Sequence, residues 1–186
     1  MRIVGGKYRN RRLHPPREIA ARPTTDFAKE GLFNVLQHST PLEGIRVLDL
    51  FAGTGNISLE FLSRGAAEVV SVDQDRVLFL FMQRMARELN ETHWRMVKQD
   101  VFTFLNSHRG RYDIVFADPP FHMEGIERIP TLVFQAGLLG TDGTLIVEHQ
   151  EKLDLSHLPG YQRTRSYGLV QFSFFAPPAP ASTPNP

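Results

Sequence analysis

Short apolar runs and helix-period stripes alternate along most of this chain. Val47-Leu48-Asp49-Leu50 has the apolar content of a strand covered on both faces, and it runs straight into a two-glycine turn, Phe51-Ala52-Gly53-Thr54-Gly55-Asn56. Ahead of it, Ala28, Leu32, Val35 and Leu36 fall at i, i+4, i+7 and i+8, one face of a helix. Thr25 is placed as its N-cap, with Asp26 near the positive end of the helix dipole. After the glycine turn the periods keep switching. The pattern predicts strand 46–50, a helix from about 56 to 64, strand 69–72 and a helix ending near Leu89. Strand 95–98, a short helix over 101–106 and strand 113–116 come next, then a helix over about 126–138 and strand 144–148. In the helix ending near Leu89, Leu78, Met82, Met85 and Leu89 form the core stripe; Phe79 and Phe81 lie off it, at the core edge or on a dimer patch.

This βαβ alternation predicts an α/β, Rossmann-like fold: an open, mostly parallel sheet with helices on both faces and right-handed crossovers. The end of the chain departs from it. Tyr161–Tyr167 and Leu169–Phe175 are strand-like runs separated only by Gly168, so a closing antiparallel hairpin brings the sheet to seven strands. At the start, Gly5-Gly6 within Met1–Leu13 is a hairpin-type dipeptide and predicts a small basic β-hairpin. Three parts follow: a basic extension over 1–22, a main domain over 23–176, and a Pro-rich disordered tail over 177–186 that holds five of the thirteen prolines.

Composition narrows the function classes. The 186 residues contain no cysteine, which excludes disulfides and thiol chemistry, and the seven histidines show no metal-site spacing. With no long apolar run and no apolar signal core, a cytoplasmic protein without membrane contact is expected. The net charge of +1 hides an asymmetry. Arg2, Lys7, Arg9, Arg11, Arg12, Arg17 and Arg22 face a single acid, Glu18, within residues 1–22, whereas the rest of the chain carries 14 basic and 19 acidic side chains. A basic arm on an acidic body suits a polyanion, although a merely solvated terminus would look the same. Tyr8 could stack on a base or pack on the body.

Open α/β sheets bind ligands at the carboxyl ends of their strands, near the point where strand order reverses. Asp49 lies within the first strand, and Asp73, Asp100 and Asp118 follow the next three. Gly53 and Gly55 permit a tight turn and a close ligand approach. Asp73 stands 20 residues after Gly53, the distance at which nucleoside-binding folds place the acid that accepts ribose hydroxyls. A dinucleotide is disfavoured, because Ser58 occupies the third glycine of the fingerprint and no cation follows the turn. Asp118-Pro119-Pro120-Phe121 is the second signal. Its carboxylate and unladdered proline carbonyls can accept both N–H groups of an exocyclic amine, while Phe121 stacks on the ring.

Together Asp49-x-Phe51-x-Gly53-x-Gly55, the acid after the second strand and Asp118-Pro119-Pro120-Phe121 resemble a class I S-adenosylmethionine-dependent methyltransferase that acts on amino groups. The arm narrows the resemblance. Arg2-Ile3-Val4-Gly5-Gly6-Lys7-Tyr8, Arg11-Arg12-Leu13, Arg22-Pro23-Thr24-Thr25-Asp26 and Lys29-Glu30-Gly31-Leu32-Phe33-Asn34 resemble the RsmD family, over roughly residues 1–176. Phe27 and Lys29 depart from it, standing where arginine is common. The resemblance implies methyl transfer from S-adenosyl-L-methionine to the N2 of a guanine in 16S ribosomal RNA, within the small ribosomal subunit or an assembly intermediate, by a monomer. It implies a cofactor site of Asp49, Phe51, Gly53, Gly55, Asp73 and Asp100. Catalysis falls to Asp118, Pro119, Pro120 and Phe121, and RNA contact to Arg2, Lys7, Arg9, Arg11, Arg12 and Arg22. The alternatives are a DNA adenine-N6 methyltransferase and a non-catalytic RNA-binding assembly factor.

Overall fold

Each strand is short and apolar where the chain needs two-sided cover. A computed structural model describes residues 1–15 and 25–178; Arg17, Glu18, Arg22 and the tail from 179 lie outside the described residues. Strands β1 (Arg46–Leu50), β2 (Glu68–Asp73), β3 (Trp94–Lys98), β4 (Tyr112–Ala117) and β5 (Leu139–Gln150) pair in parallel. Strands β6 (Tyr161–Tyr167) and β7 (Val170–Phe175) close the sheet, with β7 antiparallel to both β5 and β6. The seven strands run in the order β3-β2-β1-β4-β5-β7-β6, so the order reverses between β1 and β4. This matches the expected mixed seven-stranded sheet with an antiparallel end.

Period-2 alternation divides the core between the two faces. Val47, Val69, Ile114, Phe116 and Ile146 pack with residues of helices α1 (Asp26–Ser39), α2 (Asn56–Ser63) and α3 (Arg76–Glu88). Leu48, Leu50, Val70, Val115 and Val147 pack with residues of α4 (Val101–Ser107) and α5 (Arg128–Gln135). The Thr25 hydroxyl caps α1, accepting from Ala28 N at 3.2 Å. Helix α5 is shorter than its periodicity predicts, since Gly137 turns left-handed just beyond it (φ 63°). Strand β5 is longer, because Leu139 pairs with Tyr112 before a register shift carries residues 140–143 out of the ladder. Phe81 is core rather than edge or dimer patch. None of the described helices is long and apolar enough to cross a membrane.

The arm folds back as the small hairpin expected, in irregular form: one antiparallel bridge joins Arg2 and Arg12, Ile3 N donates to the Arg11 carbonyl at 3.0 Å and Asn10 N to the Ile3 carbonyl at 2.8 Å, and a 3-10 turn over Gly6–Tyr8 forms the tip. Other donors of the segment anchor it to α2. Val4 N and Gly5 N donate to the Glu60 carboxylate at 2.9 and 2.8 Å, and Tyr8 N donates to Ser63 Oγ at 2.9 Å. Gly6 lies against the Ser63 carbonyl, where a Cβ would have no room. Ile3 and Leu13 are buried in the core. Lys29, fully buried on α1, ties the parts together. Its Nζ donates to the Arg2 carbonyl and to Asn56 Oδ1 (2.9 Å) and pairs with Glu60 at 3.4 Å. Lys29 is therefore a strut between arm and body and presents nothing to a nucleic acid.

Candidate active site

Backbone strain concentrates where β1 ends. Phe51, Gly53 and Gly55 all adopt left-handed φ values of 62°, 56° and 73°. For Phe51 that conformation costs about 1–2 kcal/mol, and such strain collects at functional sites. Neighbouring groups enforce it: Ala52 N donates to the Val72 carbonyl at 3.0 Å and Gly53 N donates to Asp73 Oδ2 at 2.8 Å. The two glycines divide their work. A Cβ on Gly53 would meet nothing nearer than the Phe51 carbonyl oxygen at 3.9 Å, so its open side faces the cleft. A Cβ on Gly55 would lie 2.5 Å from the Trp94 ring. Gly55 is thus required for packing against Trp94.

A cleft of about 920 Å³ opens over the carboxyl ends of the strands at the reversal of strand order. Phe51, Gly53, Asp73, Asp100 and Asp118-Pro119-Pro120-Phe121 all line it, so eight of the residues singled out by sequence converge there. Asp73 clamps two turns, accepting Gly53 N on one oxygen and Asp75 N (2.8 Å) on the other, and burial raises its pKa. Asp100 caps α4 through Oδ1, which accepts from Thr103 N at 2.9 Å and Thr103 Oγ1 at 3.0 Å. Asp118 is held at the end of β4 by its own N–H, which donates to the Leu50 carbonyl at 3.3 Å. Burial, and next the charge of Glu148, push its carboxyl well above the usual range.

Asp49 does not reach the cleft. It is buried beneath the glycine turn and accepts from the Ser58 hydroxyl. Ser58 in turn contacts Ser71 Oγ, which accepts from Trp94 Nε1 at 2.7 Å, so a chain of donors ends on Asp49. Burial raises its pKa to about 7. Asp49 and Gly55 thus build the floor under the turn. In compensation the cleft gains Gln74, Leu78, Val101 and Met123, which sequence reasoning did not assign to a site. Leu78 was expected in the core stripe; instead it is half-buried and faces the cleft. An apolar side chain looks the same to periodicity in either place.

The arm residues separate likewise. Arg9, Arg11 and Arg12 are exposed and form no ion pair among the described residues. Arg2 pairs with Asp26 and Glu30, and Lys7 with Glu91 at 2.8 Å. Tyr8 packs on the body, its hydroxyl donating to the same Glu91 oxygen at 2.8 Å.

Residues 1–176 match the family described as Conserved hypothetical protein 95, which is the RsmD family. The chain belongs to the RsmD family of methyltransferases. It is 33% identical over 178 residues to the Ribosomal RNA small subunit methyltransferase D of Escherichia coli, covering 94% of this chain and 89% of that one. The solved yhhF structure from Escherichia coli superposes with a TM-score of 0.86 at 30% identity, covering 97% of this chain and 99% of that one. A 16S rRNA N2 methyltransferase of Thermus thermophilus, RsmC, solved in complex with AdoMet and guanosine, aligns with a TM-score of 0.66 at 26% identity, covering 84% of this chain and 44% of that one. In this RsmD-family chain the cleft and its Asp-Pro-Pro-Phe edge lie where the sheet topology alone would put a ligand.

Proposed function

We propose that this methyltransferase moves a methyl group from S-adenosyl-L-methionine to the exocyclic N2 of a guanine in 16S ribosomal RNA. The observation that carries the reading is a half-buried carboxylate, Asp118, lining the first of two cavities that meet at Phe121. The first cavity is the cleft of Gly53, Asp73 and Asp100. The second, of about 600 Å³, is lined by Phe121, Phe27, Tyr167 and Leu169. The Escherichia coli relative's name and the guanosine and AdoMet held by the Thermus structure support the same reaction class.

The first cleft suits the methyl donor. Gly53 leaves a side open for close approach, Asp73 and Asp100 offer carboxylate acceptors for ribose hydroxyls and an adenine amino group, and Leu78 and Val101 offer apolar surface for a flat ring. When bound, the cofactor supplies an electrophilic methyl on a sulfonium. Everything else falls to the chain. A guanine amine is a poor nucleophile because its lone pair is delocalised into the ring. Asp118 and the Pro119 carbonyl accept its N–H groups, favour a more tetrahedral nitrogen and aim the lone pair at the methyl. Asp118 also takes the released proton. Phe121, partly exposed, replaces the stacking that an unpaired or flipped base loses. Asp49 contributes by holding the turn, not by touching the cofactor.

Residues 1–22 serve as the RNA-contacting extension and residues 23–176 as the catalytic domain. Arg9, Arg11 and Arg12 supply phosphate attraction; Arg2 and Lys7 act partly through their carboxylate pairs. The substrate is the small ribosomal subunit or an assembly intermediate. Labelled S-adenosylmethionine offered to duplex DNA, to naked ribosomal RNA and to small subunits lacking the modification tests this. Label is expected in small-subunit RNA. Label in DNA adenine, or in none of the three, would overturn the reading.

A further inference from the structure

Asp118 is not the sole acid near Phe121, where the two cavities meet. The register that pairs Ala117 with Val147 brings Glu148 of β5 level with Asp118 at the end of β4. Glu148 is 2% exposed, sits opposite Phe172 of β7 and lines the second cavity, beside Phe121. Its charge acts directly on Asp118. Two carboxylates placed side by side make this edge of the cavities a row of acceptors. A ligand edge with several N–H groups in a row is complementary to it.

We infer that Glu148 is the residue that selects guanine, accepting the N1–H of the acceptor base while Asp118 and the Pro119 carbonyl hold its N2 amine. This rests on the guanine-N2 reading and deepens it. The Watson–Crick edge of guanine presents N1–H beside the N2 amine, so donors face a row of acceptors. Adenine turns an N1 lone pair toward the same place, against the carboxylate. A site built to pair a polar group rejects the analogue that leaves it unpaired far better than a merely apolar site does. Phe121, Phe27 and Leu169 on the cavity wall supply area without reading the edge.

The test uses the full-length protein. Mapping the label in RNA methylated by the wild type locates the acceptor, and 2-aminopurine, which keeps the amine but lacks N1–H, is then placed there by ligation. Wild-type kcat/KM should fall about tenfold to a hundredfold on the 2-aminopurine RNA, the range for a lost hydrogen bond to a charged group. In Glu148→Gln, whose amide can donate to the bare N1, that ratio should shrink to within about threefold. S-adenosylhomocysteine affinity should be unchanged in the variant. Equal wild-type rates on the two RNAs would overturn the assignment without any variant, as would a Glu148→Gln enzyme that keeps the wild-type ratio. Label mapping to a base other than guanine would instead overturn the reading beneath it.

Discussion

Two carboxylates, the half-buried Asp118 and the buried Asp49, titrate above the usual range with different consequences. Asp118 must be ionised to accept the amine protons. Its pKa is raised by burial first and Glu148 second, so kcat/KM should decline as pH falls through a midpoint above the ordinary value near 4. Asp118→Asn should lower transfer by about 10²–10⁴-fold while S-adenosylhomocysteine still binds, as pH–rate profiles and calorimetry would show. A profile that stays flat down to the ordinary carboxylate range near pH 4 would remove the carboxylate from the mechanism. Asp49 bears on stability. Its folded pKa of about 7 exceeds the ordinary aspartate value of 3.8, so its contribution is fully present below the lower value and is lost as pH rises through 7. Stability should therefore fall between about pH 4 and pH 7, by up to about 1.4 kcal/mol per pH unit in the middle of that window, and level off above it. Asp49→Asn should flatten this slope in urea titrations; an unchanged slope would place the titration elsewhere. Both acids were visible in the sequence as strand-end aspartates. That one serves the site and the other its floor was not, because facing depends on how Ser58, Ser71 and Trp94 pack beneath the turn.

The turn after β1 shows the same division at the level of an element. Gly53 and Gly55 are indistinguishable in a two-glycine motif, and both adopt positive φ. Only the packing of Trp94 on β3 against Gly55 separates them. Gly55→Ala should destabilise the protein by about 2–4 kcal/mol, from backbone strain plus overpacking. Gly53→Ala should cost about 1 kcal/mol in stability while weakening S-adenosylhomocysteine binding at least tenfold. Urea unfolding with calorimetry checks both, and equal losses of stability and binding in the two variants would contradict the division. Most strand and helix positions were legible, because a period of 2 against 3.6 is a local property of the chain. The hairpin of the arm was legible in the same way, but its anchoring was not: the Val4, Gly5 and Tyr8 N–H groups donate to Glu60 and Ser63, more than fifty residues away. Nor does anything local mark Lys29 as buried.

For the whole molecule, fold and recognition share the arm. Ile3 and Leu13 are core residues and the Arg2 carbonyl binds Lys29, so truncating residues 1–22 would damage the body along with any RNA contact. Charge reversal at the exposed arginines is the cleaner probe. Arg9→Glu, Arg11→Glu and Arg12→Glu together should leave the melting temperature and cofactor binding near wild type. The slope of log affinity for small-subunit RNA against log salt should fall by roughly 2–3. An unchanged salt slope would make the arm structural. Within that frame, the central proposal is that Asp118, lining the cleft beside Phe121, presents a guanine amine to the methyl donor. Enzymatic digestion of ribosomal RNA labelled by the wild-type protein, followed by separation of the nucleosides, addresses this claim most directly. The account predicts that the labelled nucleoside is N2-methylguanosine; label on another base, on the ribose, or on none would contradict it.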